Sequence, residues 1–241
     1  VEHLRYYDRL MCDQLTDEGD ISINGTPLRR FVKYGLKWRC NSPVSRQDPL
    51  IVDWIQRITS DYRAPTEQSE VLVLLPCSAR KPYSMSQSHR RFRGSLRHRP
   101  LHEVIVTAPL GLVPRELEEL WPASHYDIPV TGEWDGDELE MIHKCVKSLV
   151  SNNGYKMLIN HSGIDFDSDE IGVEIIDTRQ GEGAGSHDAL QRLKQASEDA
   201  AKKYHPDYRM NEKQHLLIKM RSISRWLHNN DDWLENAHVG G

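Results

Sequence analysis

An α/β fold, built on a mostly parallel sheet with helices on both faces, is predicted by three features of the sequence. Val71 to Leu75 is a continuous apolar run, as expected of a strand covered on both sides. The pattern returns at Val104 to Val106 and at Met157 to Ile159, with Val173 to Ile176 as a shorter candidate. Stretches of helical periodicity lie between these runs, and strands alternating with helices favour a parallel sheet.

The elements follow in chain order. Leu4, Tyr7, Met11 and Leu15 fall at helical spacing, so the first sixteen residues are read as an amphipathic helix. Asn24-Gly25 is a turn signal inside a weakly supported hairpin from Ile21 to Val32. Pro49 opens a helix through Val52, Ile55 and Ile58, since proline is tolerated at a first helical position. Ala64 to Ser69 reads as a polar linker. Pro114 is expected to start a helix running from Arg115 to Leu120. Asp137 and Glu140 have capping-box spacing for another, with Leu139, Ile142, Val146 and Leu149 on one face and Gly154 just past its end. After a glycine-rich break at Gly181 to Gly185, a polar helix spans Asp188 to Lys203, and a last helix carries Leu216, Met220, Ile223 and Leu227. The resulting division is a helical N-terminal segment (1–66), an α/β core (67–180) and a helical C-terminal extension (181–241).

Composition narrows the function classes. Hydrophobic residues make up 38% and charged residues 28% of 241 residues, the profile of a globular chain rather than a disordered one. No apolar run approaches the roughly 20 residues that span a bilayer, so no membrane partner is expected. Cys12, Cys40, Cys77 and Cys145 are scattered and show no zinc-ligand spacing, which fits free thiols in a reducing cytoplasm. No metal and no cofactor are expected. A net charge of −5 argues against bulk electrostatic binding of nucleic acid. Yet Val71 to His102 contains no Asp or Glu, and holds Arg80, Lys81, Arg90, Arg91, Arg93, Arg97 and Arg99. Such a segment suits a local phosphate site, and on charge alone a solvated basic loop accounts for it equally well.

In parallel sheets ligands sit at the carboxyl ends of strands, which points to the loops after Leu75, Val106 and Ile159. The first of these, Pro76 to His89, concentrates a thiol, an amine, a phenol, four hydroxyls and an imidazole. A thiolate at Cys77 near Arg80, Lys81 or His89 would be electrostatically favoured and activated. Taken alone, Cys77 reads first as a buried structural cysteine. Lys81 precedes a proline and so lies on extended backbone, from which its amine projects.

The spacing of Pro76, Cys77, Lys81, Pro82, Tyr83, Ser86 and His89 resembles the signature of the archaeosine synthase alpha-subunit family. Ala108 to Glu118 and His125 to Gly132, followed by Trp134, are similar to its next segments, and the resemblance covers about residues 45 to 165. It implies an enzyme that adds L-lysine, through its side-chain amine, to the nitrile of 7-cyano-7-deazaguanine at position 15 of archaeal tRNA. It further implies a radical S-adenosylmethionine partner subunit that cleaves the adduct. The core of the family has been likened to uracil-DNA glycosylases, which fits a pocket for an extruded base. Longer members carry transglycosylase-like and PUA domains, so the chain is expected to be either a fragment or one part of a split system whose RNA-binding parts are separate chains.

Cys77, Lys81, Tyr83 and His89 are the candidate catalytic residues. Ser78, Arg80, Ser86, His125, Asp127 and His161 are the candidate substrate-binding ones. Two routes stay open. Cys77 attacks the nitrile to form a thioimidate that lysine displaces, with His89 or Tyr83 moving protons. Alternatively lysine attacks directly, and Lys81 or Arg80 steadies the negative charge on nitrogen. Asp127 reads equally as a group recognising an amine and as a strand-end turn residue, while Arg115 and Glu116 read as structural. A non-catalytic tRNA-binding or scaffold subunit is the alternative class, in which the basic loop contacts phosphates. A glycosylase-like hydrolase would need Asp127 or Asp165 to activate water.

Overall fold

The computed structural model describes residues 38–39, 47–97, 99–120, 122–124, 126–127, 134–207 and 210–229. The expected helix over the first sixteen residues, the Asn24-Gly25 hairpin, Cys12, Cys40 and His125 lie outside these residues.

Seven strands and six α-helices are assigned along the described chain. In order they are β1 (Trp38–Arg39), α1 (Pro49–Ser60), β2 (Val71–Pro76), α2 (Gln87–Leu96), β3 (His102–Thr107), β4 (Gly111–Pro114) and β5 (Tyr126–Asp127). There follow α3 (Gly136–Asn153), β6 (Met157–Asn160), α4 (Ser168–Ile171), β7 (Glu174–Asp177), α5 (His187–Tyr204) and α6 (Glu212–Asn229). The main sheet has the order β4-β3-β2-β6-β7. β2 lies at its centre and pairs in parallel with β3 and β6, β7 continues in parallel, and β4 is an antiparallel edge. The mostly parallel α/β sheet read from the apolar runs is therefore the observed one.

β2 shows why its sequence is apolar without alternation. Leu72 and Leu74 point into a core with α1 and α3, through Leu50, Ile51, Trp54, Ile58, Ile142, Val146 and Leu149. Val71, Val73 and Leu75 point the other way, into a core with α2 and α5, through Phe92, Leu96, Leu193, Ala196 and Ala200. Both faces are covered, so both parities must be apolar.

The helix ends follow local chemistry. Asp48 caps α1 by accepting from the Leu50 amide at 2.9 Å, and Pro49 sits in the first turn. The Trp54 indole donates to the Leu112 carbonyl at 3.0 Å and fastens α1 to β4. α3 opens with a capping box of Asp135 and Glu138, two residues before the Asp137–Glu140 pair expected to form it. Both pairs have the same spacing, and the helix takes the earlier one, which lengthens it by about half a turn. Gly154 closes α3 at φ 68°, a left-handed conformation that glycine adopts at no steric cost.

The expected helix from Pro114 is a strand instead. β4 pairs with β3 from Thr107↔Gly111 to Val104↔Pro114, and only a single 3-10 turn, Arg115–Leu117, follows. Leu112 and Val113 are fully buried, and an edge position tolerates the missing proline amide. Burying this apolar pair on the sheet outweighs the helix-start signal of Pro114.

Truncating the central strand should test this core directly. Leu74→Ala is expected to cost about 2–5 kcal/mol in urea unfolding, the usual range for a fully buried leucine.

Candidate active site

The pairing of Pro76 with Val106 brings the next residues of β2 and β3, Cys77 and Thr107, side by side at the carboxyl edge of the sheet. The Thr107 hydroxyl lies beside the Cys77 thiol and lowers its pKa. That hydroxyl also meets the Tyr126 phenol, which is in turn hydrogen-bonded to the Tyr83 phenol. Lys81 is buried beside them, its Nζ 4.0 Å from the Tyr126 ring centroid and 5.9 Å from that of Tyr83. One thiol, one amine and three hydroxyls from separate elements thus converge.

Burial sets the protonation of this cluster. It pushes the Cys77 thiol above its ordinary range, and the nearby Lys81 charge and the Thr107 hydroxyl only partly offset it. The expectation of a thiolate favoured by the basic loop is therefore corrected: desolvation outweighs the Lys81 charge, and Arg80 is exposed. Burial likewise raises Tyr83 and Tyr126, with the thiol adding to the effect on each, so both phenols stay protonated donors.

The loop that carries Cys77 is held from behind. Arg115 donates through Nε to Glu103 at 2.9 Å, through Nη1 to Glu118 at 2.9 Å and through Nη2 to His89 Nδ1 at 2.7 Å. His89 Nε2 then donates to the Pro76 carbonyl at 2.9 Å. Glu118 also accepts from the Ser84 amide at 3.0 Å. With both ring nitrogens engaged, His89 is fixed as the neutral Nε2–H tautomer. Desolvation, and then the Arg115 charge, lower its pKa to about 2. His89 is placed to hold the loop rather than to shuttle protons.

The other expected residues distribute as follows. Ser86 caps α2, accepting from the His89 amide at 3.2 Å, and Ser78 donates to the Arg80 carbonyl at 3.0 Å, so both shape the loop. Asp127 lies in β5, paired with Arg39 in β1. His161 does not join the cluster. Its ring packs on Phe92 in the core of the opposite sheet face, with Nε2 donating to the Ala184 carbonyl at 2.9 Å and Nδ1 2.7 Å from the Thr178 hydroxyl. Burial foremost lowers its pKa to about 4.

Thr107, Tyr126 and the Arg115–Glu118 pair were not among the expected site residues. Thr107 ends an apolar strand predicted to lead to the site, so its place in the pattern was available. Tyr126 stands between His125 and Asp127 in the segment already singled out, but nothing in the spacing says which of the three turns inward. A second buried polar group lies at the other end of β3. Tyr62 is hydrogen-bonded to Glu116 and to His102 Nε2 (2.8 Å), and His102 Nδ1 to the Tyr155 phenol at 2.5 Å. Burial raises the Glu116 carboxyl, but His102 and the Tyr62 hydrogen bond bring it below the usual range. Among the described residues no group of three or more His, Cys, Asp or Glu is placed to hold a metal ion.

Two of the buried histidines, His89 and His161, give a pH test. Both have folded pKa values far below the ordinary 6.5, so as pH falls below 6.5 the unfolded state takes up protons that the folded state refuses. Between pH 6.5 and 5, each should remove up to about 1.4 kcal/mol of stability per pH unit. Urea titrations at pH 7.5, 6 and 5 check this. His161→Gln should flatten the slope, and pH-independent stability over this window would contradict the assignment.

The family described as a domain of unknown function, DUF5591, matches residues 51–197. The archaeosine synthase subunit alpha of Methanosarcina acetivorans is 41% identical over 156 residues, 61% of this chain and 24% of that protein. The archaeosine synthase of Haloferax volcanii is 46% identical over 105 residues, 44% of this chain and 17% of that protein. A tRNA-guanine(15) transglycosylase of Methanobrevibacter smithii is 31% identical over 130 residues, 51% of this chain and 19% of its own length. The chain thus spans about a quarter or less of these relatives. The family match spans the central sheet and its motif loop, and it makes the chain a member of the DUF5591 family.

Proposed function

We propose that this chain carries the catalytic core of a tRNA-modifying enzyme of archaeosine biosynthesis. It adds L-lysine, through its side-chain amine, to the nitrile of 7-cyano-7-deazaguanine at position 15 of tRNA. The observation that carries the reading is the convergence of Cys77, Thr107, Tyr126, Tyr83 and Lys81 at adjoining strand ends. The names of the relatives supply the pathway, and the family resemblance of the motif supplies the two substrates.

The chemistry suits a weak electrophile. The Cys77 sulfur adds to the nitrile carbon, and the thiol proton passes to the nitrile nitrogen, giving a thioimidate. The amine of lysine then adds to the same carbon, the carbon–sulfur bond breaks, and the thiol regains its proton while an amidine remains. No atom is gained or lost beyond the two substrates. A thiol whose pKa is raised by burial is uncharged at rest, so its proton must leave as sulfur attacks. The row of hydroxyls from Thr107 through Tyr126 to Tyr83 offers a path for it. The two protonated phenols also serve as donors to charge developing on nitrogen, in a site where little water competes. Lys81 steadies the thiolate that forms in passing. A radical S-adenosylmethionine partner would then cleave the lysine adduct.

The test incubates the chain with tRNA bearing the cyano base and free lysine, then digests the tRNA and weighs the nucleosides. A lysine-sized gain in mass is expected. Cys77→Ala should abolish it, and Tyr126→Phe should slow it by about a hundredfold. Full turnover by Cys77→Ala would sink the covalent route and leave direct attack by lysine. Absence of any gain, even with the partner subunit added, would point to a non-catalytic tRNA-binding subunit.

A further inference from the structure

The basic segment noted in the sequence is not absorbed by the active site. Of its side chains, only Lys81 enters the cluster, and Arg99 is bound to Glu198 at 2.6 Å. Arg90 and Arg93 instead stand at i and i+3 on one face of α2, and Arg97 follows just past its end, on extended backbone. All three are exposed, and they line a groove of about 650 Å³ between α2, the turn after β4 and α6.

Five glutamates share that groove, and each already has a cationic or hydrogen-bonding neighbour. Glu103 and Glu118 are held by Arg115, and Glu116 by Tyr62 and His102. Glu119 pairs with Lys219 at 2.6 Å, and Glu212 lies 3.8 Å from Arg97. Among the described residues, Arg90 and Arg93 make no ion pair. Inside a chain of net charge −5, two neighbouring arginines on one helix face with no ion pair are a local exception. Arginine is also the side chain whose planar fork fits phosphate oxygens.

The position of these arginines matters as much as their charge. Arg90 follows His89 directly, and the His89 ring is 5.3 Å from that of Tyr83 in the site. Ser84, from the motif loop itself, lines the same groove. A nucleic-acid strand whose modified base enters the Cys77 cluster would leave its backbone close to this row.

We infer that Arg90, Arg93 and Arg97 form a phosphate track for the RNA strand flanking the base under modification. The inference rests on the reading of the chain as a tRNA-modifying core, and it assigns to α2 the contacts that position the RNA without reading its sequence.

Binding of a tRNA transcript to the full chain, measured by fluorescence anisotropy across a salt series, tests it. Arg90→Gln/Arg93→Gln should weaken binding about ten- to a hundredfold at low salt, and lower the slope of log affinity against log salt by about two. Lys147→Gln, an exposed change on α3, should leave both unchanged. Circular dichroism of each variant confirms the fold. If the unsubstituted chain binds tRNA and the double variant binds it equally well with the same slope, the track is refuted while the functional reading stands. If the unsubstituted chain does not bind tRNA, the track is refuted, and the nucleoside-mass assay decides the functional reading separately. If poly-glutamate is bound in preference to the transcript, the row serves an acidic protein and the inference is overturned.

Discussion

The partly buried guanidinium of Arg115 fixes the rest of the site. It reaches β3 through Glu103, its own turn through Glu118, and the start of α2 through His89, with Glu118 holding the Ser84 amide of the motif loop as well. Two carboxylates flank this partly buried cation, and they hold its charge more firmly than an exposed arginine's. Removing one partner from such a group typically costs about 3–5 kcal/mol, because buried charge is left uncompensated. The arrangement is therefore hard to loosen. It forces His89 into one neutral tautomer and so sets the Pro76 carbonyl from which Cys77 emerges. The motif histidine and the arginine beyond β4 act as one clamp on the loop.

That clamp leaves the reacting groups to a second, uncharged set. The thiol and both phenols are held in their protonated forms by burial. Lys81 is the cation that faces them, across the Tyr126 ring. A centre of this kind suits addition to a neutral electrophile, in which a proton and a developing charge must move together over a short distance. It suits hydrolysis less well, since among the described side chains no carboxylate is bonded to the thiol to activate water. Phosphate contacts are assigned to a different surface, the arginine row of α2, which separates holding the RNA from reacting with its base.

Much of this was legible before any coordinates. The continuous apolar runs identified the central strands because burial on both faces demands them. The strand-end rule then pointed at the Pro76 to His89 loop. Other features were not legible, for physical reasons. Pro114 signals a helix start and an edge strand end alike, and only the burial of Leu112 and Val113 decides between them. His161 follows a strand like Cys77 does, but emerges on the face occupied by Phe92. The raised pKa of Cys77 depends on burial, whereas the sequence displays only the basic residues beside it. Tyr126 reaches the cluster from a segment about fifty residues on, a contact made in three dimensions alone.

The central claim is that the sulfur of Cys77 bonds to the nitrile carbon, and its most direct test leaves lysine out. The chain is incubated with tRNA bearing the cyano base, digested with protease and nuclease, and the peptide containing Cys77 is weighed. The account predicts an adduct on that peptide equal in mass to the modified nucleoside, which disappears when lysine is added. An unmodified peptide, from a preparation that converts the same tRNA once lysine is supplied, would contradict it.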